Sequence, residues 1–157
     1  MVGMTATNRN SNPGRGYFGI ACYLPTKAIN VGTLWRSARI LGAAFLTTIG
    51  RRYEKQPSDT VKAYRHIPLF HFPDVDTFWD SLPYGCQPVA VEITPDARPL
   101  EGFTHPERAV YILGPENGSL PQSILDRAVV TLRLPGIHCL NLAVAGSIVM
   151  YDRVAKC

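Results

Sequence analysis

The sequence predicts an α/β domain in which a mostly parallel sheet is covered by helices on both faces. Two observations carry that expectation. From residue 17 onward, strand-like apolar runs alternate with helix-like segments, the pattern of a parallel sheet buried on both sides. In addition, three short segments (30–36, 113–118 and 134–141) each lie where an apolar run gives way to a loop or helix. Those strand ends are where α/β sheets hold their ligands.

Residues 18–23 read as the first strand. Residues 31–41 read as a helix, with Asn30 as its N-cap and Gly42 at its C-terminal end. A second strand covers 44–49, and 50–66 is a basic polar loop of a length usually tied to function. A short strand at 68–72, a helix at 75–82 opened by Asp74 and a strand at 88–93 follow. A proline-rich excursion (94–106) leads to 109–113, the most apolar strand. Residues 121–128 read as a helix, 129–134 as a strand and 141–154 as the last helix. That last helix is apolar nearly all round (Leu142, Ala143, Val144, Ala145, Ile148, Val149, Met150), which places it centrally in the core or against a second subunit. In a short chain that needs helices on both sheet faces, a subunit interface is the better reading. Residues 1–16 are expected to form a flexible tail and 17–157 a single domain.

Charge is unevenly spread. Residues 1–65 hold ten Lys/Arg against two Asp/Glu, a net of +8, whereas the remainder holds six against ten, a net of −4. A basic half of this kind suits a polyanionic partner. The four cysteines (Cys22, Cys86, Cys139, Cys157) show no C-x-x-C spacing, which argues against a zinc site or disulfide framework. The longest apolar run is too short to span a bilayer, and no charged leader precedes an apolar stretch at the N-terminus. A cytoplasmic protein without metal is therefore expected. Gly14, Gly16 and Gly19 spell G-x-G-x-x-G, but a polar tail precedes them and a strand follows. The dinucleotide fingerprint needs the opposite order, so the match is rejected.

The three segments resemble the motifs of the SpoU (TrmH-like) RNA 2′-O-ribose methyltransferases of the SPOUT superfamily. Asn30, Gly32 and Arg36 fit N-x-G-x-x-x-R. Leu113, Gly114, Glu116 and Gly118 fit a strand ending in L-G-x-E-x-x-G, with the last glycine one position early. Leu134, Pro135, Leu140 and Asn141 fit the third motif, an apolar residue and proline followed by L-N and an apolar helix. The resemblance covers about residues 17–156. It implies a C-terminal trefoil knot, S-adenosylmethionine (AdoMet) as cofactor and a homodimer, the last in accord with the apolar final helix. It departs at Cys139, where the family usually has Ser; a thiol is the poorer hydrogen-bond donor and acceptor, so slower or altered activity is expected.

Methyl transfer from a sulfonium to a ribose hydroxyl needs a donor held still and a hydroxyl placed in line with the S–CH3 bond. By the resemblance, Leu113, Gly114, Gly118, Leu134, Cys139 and Leu140 line the cofactor site, while Asn30, Arg36, Glu116 and Asn141 form the catalytic set. Arg36 would reach the acceptor nucleotide, often beside the partner subunit's cofactor. An arginine is too weak an acid to serve as a base at neutral pH, so a role in holding phosphate or the 2′-hydroxyl fits better. Glu116, acidic within an apolar frame, needs a partner, and Arg36 is the expected one. Arg51, Arg52, Lys55 and Arg65, with Tyr53 and Tyr64 among them, suit an RNA surface of cations and stacking rings. His138 reads as incidental, and His66 and His71 flank the third strand with no visible partner. Analogy with compact relatives puts tRNA ahead of rRNA as substrate. Two other readings stay open: a non-catalytic RNA-binding or assembly protein on the same scaffold, and an enzyme using AdoMet on a small molecule.

Overall fold

The computed structural model describes residues 16–54 and 65–157; the expected flexible tail, save Gly16, and Lys55, Lys62 and Tyr64 of the basic loop lie outside them. In chain order the elements are β1 (Tyr17–Tyr23), α1 (Ala28–Leu41), β2 (Phe45–Ile49), β3 (Leu69–Phe72), α2 (Val75–Asp80), β4 (Gln87–Val91), β5 (Arg98–Pro99), a 3-10 turn (Leu100–Gly102), β6 (Arg108–Leu113), α3 (Gln122–Arg127), β7 (Val130–Arg133) and α4 (Leu142–Lys156).

The seven strands form one sheet in the order β3-β2-β1-β6-β4-β7-β5, and every pairing is parallel. The central strand β6 is buried from Ala109 to Leu113, as its uninterrupted apolar run requires of a strand covered on both faces. On one face α1 and α4 pack over Phe18, Ile20, Leu46 and Tyr111. On the other, α2 and α3 bring Phe78, Trp79 and Ile124 onto Ala21, Val110 and Ile112. The α/β architecture with helices on both faces is thus the one expected. The two-residue strand β5 was not foreseen, because nothing within a proline-rich stretch distinguishes so short a pairing from a loop.

Helix α1 buries Val31, Leu34, Trp35 and Ala38, one stripe at three- and four-residue spacing. It stops at Gly42, whose φ of +83° is open to glycine without strain. There Ala43 N donates to Ala38 O at 2.9 Å, the closing bond of a Schellman motif. At its other end the expected cap is wrong. The helix begins at Ala28 with Lys27 in the cap position, making no side-chain cap bond. Asn30 lies inside the first turn, its side chain drawn into a tertiary network described below. Asp74 does cap α2, accepting from Thr77 N at 2.7 Å.

Helix α4 crosses α1 closely at Gly146, where an added Cβ would fall 2.4 Å from Leu34 Cδ1 and 2.9 Å from Leu113 Cδ1. Its C-terminal half is tied down by Arg153, only 6% exposed, which donates to the carbonyls of Pro106 (2.6 Å) and Glu107 (2.8 Å) and to Tyr111 Oη (3.1 Å). Its outer face stays apolar: Val144, Ile148, Tyr151 and Val154 are exposed. Among the described residues no helix is long and apolar enough to cross a membrane.

Candidate functional site

The parallel sheet brings the ends of β1, β4, β6 and β7 to one edge, and the three motif segments meet there. The link between them is a chain of hydrogen bonds with a fixed direction. Asn141 caps α4: its Oδ1 accepts from Ala143 N (2.9 Å) and Val144 N (3.3 Å). That leaves its Nδ2 to donate to Asn30 Oδ1 (3.1 Å), and Asn30 Nδ2 in turn donates to Glu116 Oε1 (2.7 Å). Glu116 Oε2 also accepts from Thr26 N (2.9 Å) and Thr26 Oγ1 (2.7 Å). Each amide orientation follows from the one before, starting at the helix cap. Asn30 therefore serves the site rather than its helix end, because both of its polar atoms are already engaged.

Burial raises the Glu116 pKa, but the bonds from Asn30 and Thr26 outweigh it and hold the carboxyl at about 2. The carboxylate is accordingly charged at neutral pH and a weak base. Its partners correct the expectation of an Arg36 ion pair. Arg36 is exposed on α1 and makes no hydrogen bond or ion pair with any described residue.

Beside this chain lies a cleft lined by Val91, Glu92, Ile93, Leu113, Gly114, Glu116, Gly118, Leu134, His138, Cys139, Leu140, Leu142 and Ala145, among others. All six residues expected around a cofactor (Leu113, Gly114, Gly118, Leu134, Cys139, Leu140) are on its wall. Gly114 and Gly118 keep it open. A Cβ at Gly118 would come within 3.2 Å of Pro115 Cγ, and one at Gly114 within 3.4 Å of Glu92 Oε2. Leu134, Leu140 and Leu142 offer apolar surface for a planar base, and Glu116 and Glu92 offer negative charge. This donor set fits a cationic nucleoside such as AdoMet.

Sequence reasoning missed Glu92. Its Oε2 accepts from Leu120 N at 2.9 Å and its Oε1 from Ile93 N at 3.0 Å. An acidic residue directly after the apolar strand β4, at the sheet's ligand edge, was the available signal. His138, read as incidental, also lines the cleft.

Of the expected RNA-contacting residues, Arg51 and Arg52 follow β2 at the same sheet edge and are exposed. Arg51 Nη1 reaches Pro25 O at 3.5 Å, beside the loop that holds Glu116. Arg65 is exposed at the far end of the basic loop. Tyr53 is half-buried, and its ring packs edge-on against Trp35 with centroids 5.8 Å apart. His71, expected to lack a partner, shares a 2.9 Å hydrogen bond between its Nδ1 and Thr48 Oγ1. Among the described residues no group of three or more His, Cys, Asp or Glu is placed to hold a metal ion.

A second hollow lies between α1 and α4, lined by Ile29, Asn30, Thr33, Asn141, Val144, Ile148 and Tyr151, among others. It shares Asn30 and Asn141 with the hydrogen-bonded chain. Ile29, Thr33, Arg36 and Ile40 recur along α1 at three- and four-residue spacing, so Arg36 continues the helix stripe that borders this hollow.

The same architecture recurs in solved structures. The SpoU methyltransferase AviRb of Streptomyces viridochromogenes superposes with a TM-score of 0.78 at 19% identity, over 89% of this chain and 59% of that one. An AdoMet-bound rRNA methyltransferase of Sinorhizobium meliloti gives 0.76 at 24% identity, over 90% and 57%. A structure concerned with the 2-OH methylation of C/U34 on tRNA gives 0.76 at 26% identity, over 91% of this chain and 92% of that one. The chain thus spans under two thirds of the first two and nearly all of the third. Among curated protein sequences, none matches the chain significantly. The model of the SpoU rRNA Methylase family, however, matches residues 17–151, most of the sequence, and the chain belongs to that family.

Proposed function

We propose that the protein is an AdoMet-dependent RNA 2′-O-ribose methyltransferase that acts on tRNA as a homodimer with a knotted C-terminal region. The observation that carries this reading is the Asn141–Asn30–Glu116–Thr26 chain beside a cleft whose walls suit a cationic nucleoside. When bound, AdoMet supplies a methyl group activated as a sulfonium. The chain's own part is to hold and to aim. Gly114 and Gly118 admit the ligand close to backbone, and Leu134, Leu140 and Leu142 exclude water from one side of it. Glu116, ionised and accepting from Asn30 and Thr26, sets Asn30 and the start of α1 rather than taking a proton. Arg36, without an ion pair among the described residues, holds a phosphate or the acceptor 2′-hydroxyl. Positioning of this kind is the main source of rate in such a transfer.

The homodimer reading is supported by the apolar face of α4 and the hollow against α1, where Ile29 is 67% exposed and Tyr151 66%. With a second copy seated there, Arg36 would border the interface, which accords with the place beside the partner's cofactor that the family resemblance implies. The tRNA reading is supported by the structure concerned with C/U34 methylation, which matches this chain over nearly the full length of both. Arg51 and Arg52 supply cations for phosphates at the same edge.

The test is transfer of labelled methyl from AdoMet to unmodified total RNA, separated by size and digested to nucleosides. Label in a 2′-O-methylnucleoside of the tRNA fraction is the expected result. Label in a base would overturn the ribose assignment, and label confined to rRNA would overturn the substrate. Binding of AdoMet with no transfer to any RNA would favour the non-catalytic reading, with Cys139→Ser the next protein to make.

A further inference from the structure

We infer that Glu92 recognises the cofactor's ribose, its carboxylate accepting hydrogen bonds from the vicinal 2′- and 3′-hydroxyls; this rests on the cofactor reading above. The carboxylate lies on the cleft wall immediately after β4, and its position is fixed from several sides. Its backbone N donates to Leu132 O at 2.9 Å, which zips this residue to β7. Oε1 accepts from Ile93 N and Oε2 from Leu120 N, one bond to each oxygen. No Lys or Arg among the described residues pairs with it.

The acceptor count then distinguishes the two carboxylates of the cleft. A carboxylate offers about four lone-pair sites. Glu116 spends three of them on Asn30 and Thr26, with two on one oxygen. Glu92 spends two, leaving one free site on each oxygen. Two fixed acceptors side by side match two neighbouring O–H donors, as in the carboxylate recognition of ribose by dinucleotide-binding folds. An ammonium, with three N–H groups round one point, would leave a donor over. The absence of a Cβ at Gly114 keeps the space beside Glu92 Oε2 open. Burying the diol elsewhere in a largely apolar cleft would leave its hydroxyls unpaired, whereas here they meet a charged acceptor.

Calorimetric titration of the full chain with S-adenosylhomocysteine and with its 2′,3′-dideoxy and deaminated analogues tests this. Wild type should bind the dideoxy analogue about 10- to 100-fold more weakly than the parent, the range expected for hydrogen bonds to a charged group. Glu92→Gln should weaken the parent by a similar factor and leave the dideoxy analogue nearly unchanged. Equal losses for both ligands would reduce Glu92 to a support of the Leu120 backbone and overturn the assignment. So would a loss that persists with the dideoxy analogue but disappears with the deaminated one, because the carboxylate would then hold the ammonium. If Glu92→Gln does not fold, the wild-type comparison decides alone: equal affinity for parent and dideoxy analogue refutes the inference. Failure of wild type to bind S-adenosylhomocysteine at all would instead refute the cofactor reading, and this assignment with it.

Discussion

Replacing Glu116 by Gln isolates the charge at the centre of the hydrogen-bonded chain. Three donors converge on the carboxylate: Asn30 Nδ2, Thr26 N and Thr26 Oγ1. A glutamine has one acceptor oxygen and one donor group, so one of its ends must face a donor. Asn30 cannot turn to relieve this without opposing its own Nδ2 to that of Asn141, and Asn141 is held by the cap of α4. Hydrogen bonds to charged groups contribute about 1.5–3 kcal/mol each and neutral ones about 0.5–1.5. Weakening two and losing one sums to roughly 3 kcal/mol, which solvent at this part-buried site reduces to about 2. The pKa gives the same scale. A carboxyl held at about 2 against an ordinary 4.5 corresponds to about 3 kcal/mol before the same screening. Because the folded value is depressed, the contribution is complete above pH 4.5 and is lost as pH falls toward 2. Urea unfolding of wild type and Glu116→Gln at pH 7 and pH 3, at matched protein concentration, should show a gap of about 2 kcal/mol at pH 7 that narrows to roughly 1 kcal/mol or less at pH 3. A gap below about 0.5 kcal/mol at pH 7, or one unchanged at pH 3, would refute the reasoning.

Arg36→Ala is expected to keep AdoMet affinity within about two-fold, since the residue lies off the cleft wall, while losing methyl transfer at least 100-fold; unchanged transfer would remove it from the catalytic set. Ile148→Asp, in the α1–α4 hollow, should convert a dimer to monomer in light scattering, and a variant of unaltered mass would argue that the dimer uses another face. Removing both Arg51 and Arg52 should weaken RNA binding and lower the steepness of its salt dependence by about 2 in a log–log plot; an unchanged slope would place the phosphates elsewhere. His105 gives a fourth outcome. Arg153 donates to Tyr111 Oη, whose own proton then goes to His105 Nδ1 (2.6 Å), leaving His105 Nε2–H for Asp152 (2.8 Å). Burial lowers the His105 pKa, and the Asp152 bond only partly restores it. A neutral imidazole in the folded state means stability that is complete above pH 6.5 and declines as pH drops through the folded value. Imidazole nitrogen NMR should show the Nε2–H form at pH 7, and titration at or above 6.5 would contradict the network.

Most of the fold was legible because every strand but β5 is a short, largely apolar run bounded by turn residues, and parallel order followed from the intervening helices. What escaped was set by contacts distant in sequence. Asn30 has the composition of a helix cap, and only the approach of Glu116 and Asn141 draws its side chain away. The edge-on contact of Tyr53 with Trp35 joins residues eighteen positions apart that no local pattern pairs. Arg36 and Glu116 attract on paper, yet the carboxylate was satisfied by neutral donors nearer at hand. The cleft wall, by contrast, was readable, since glycines and leucines at strand ends report the local need for space and apolar cover. Glu92 was overlooked because its two partners, Ile93 N and Leu120 N, are backbone groups that no side-chain pattern reveals.

The directed chain from α4 back to Thr26 bears on when the site comes into being. Its bonds join residues 86, 90 and 111 positions apart in sequence. Closing loops of that length is slow, and the reward arrives only after the chain is folded around them. During synthesis Asn30 and Thr26 emerge long before either partner, and Asn141 lies sixteen residues from the last position described. The orientation of every amide in the series begins at the cap of the final helix. Without α4 there is no cap at Asn141 from which the series can start. Order at this site therefore waits on the seating of α4 against α1.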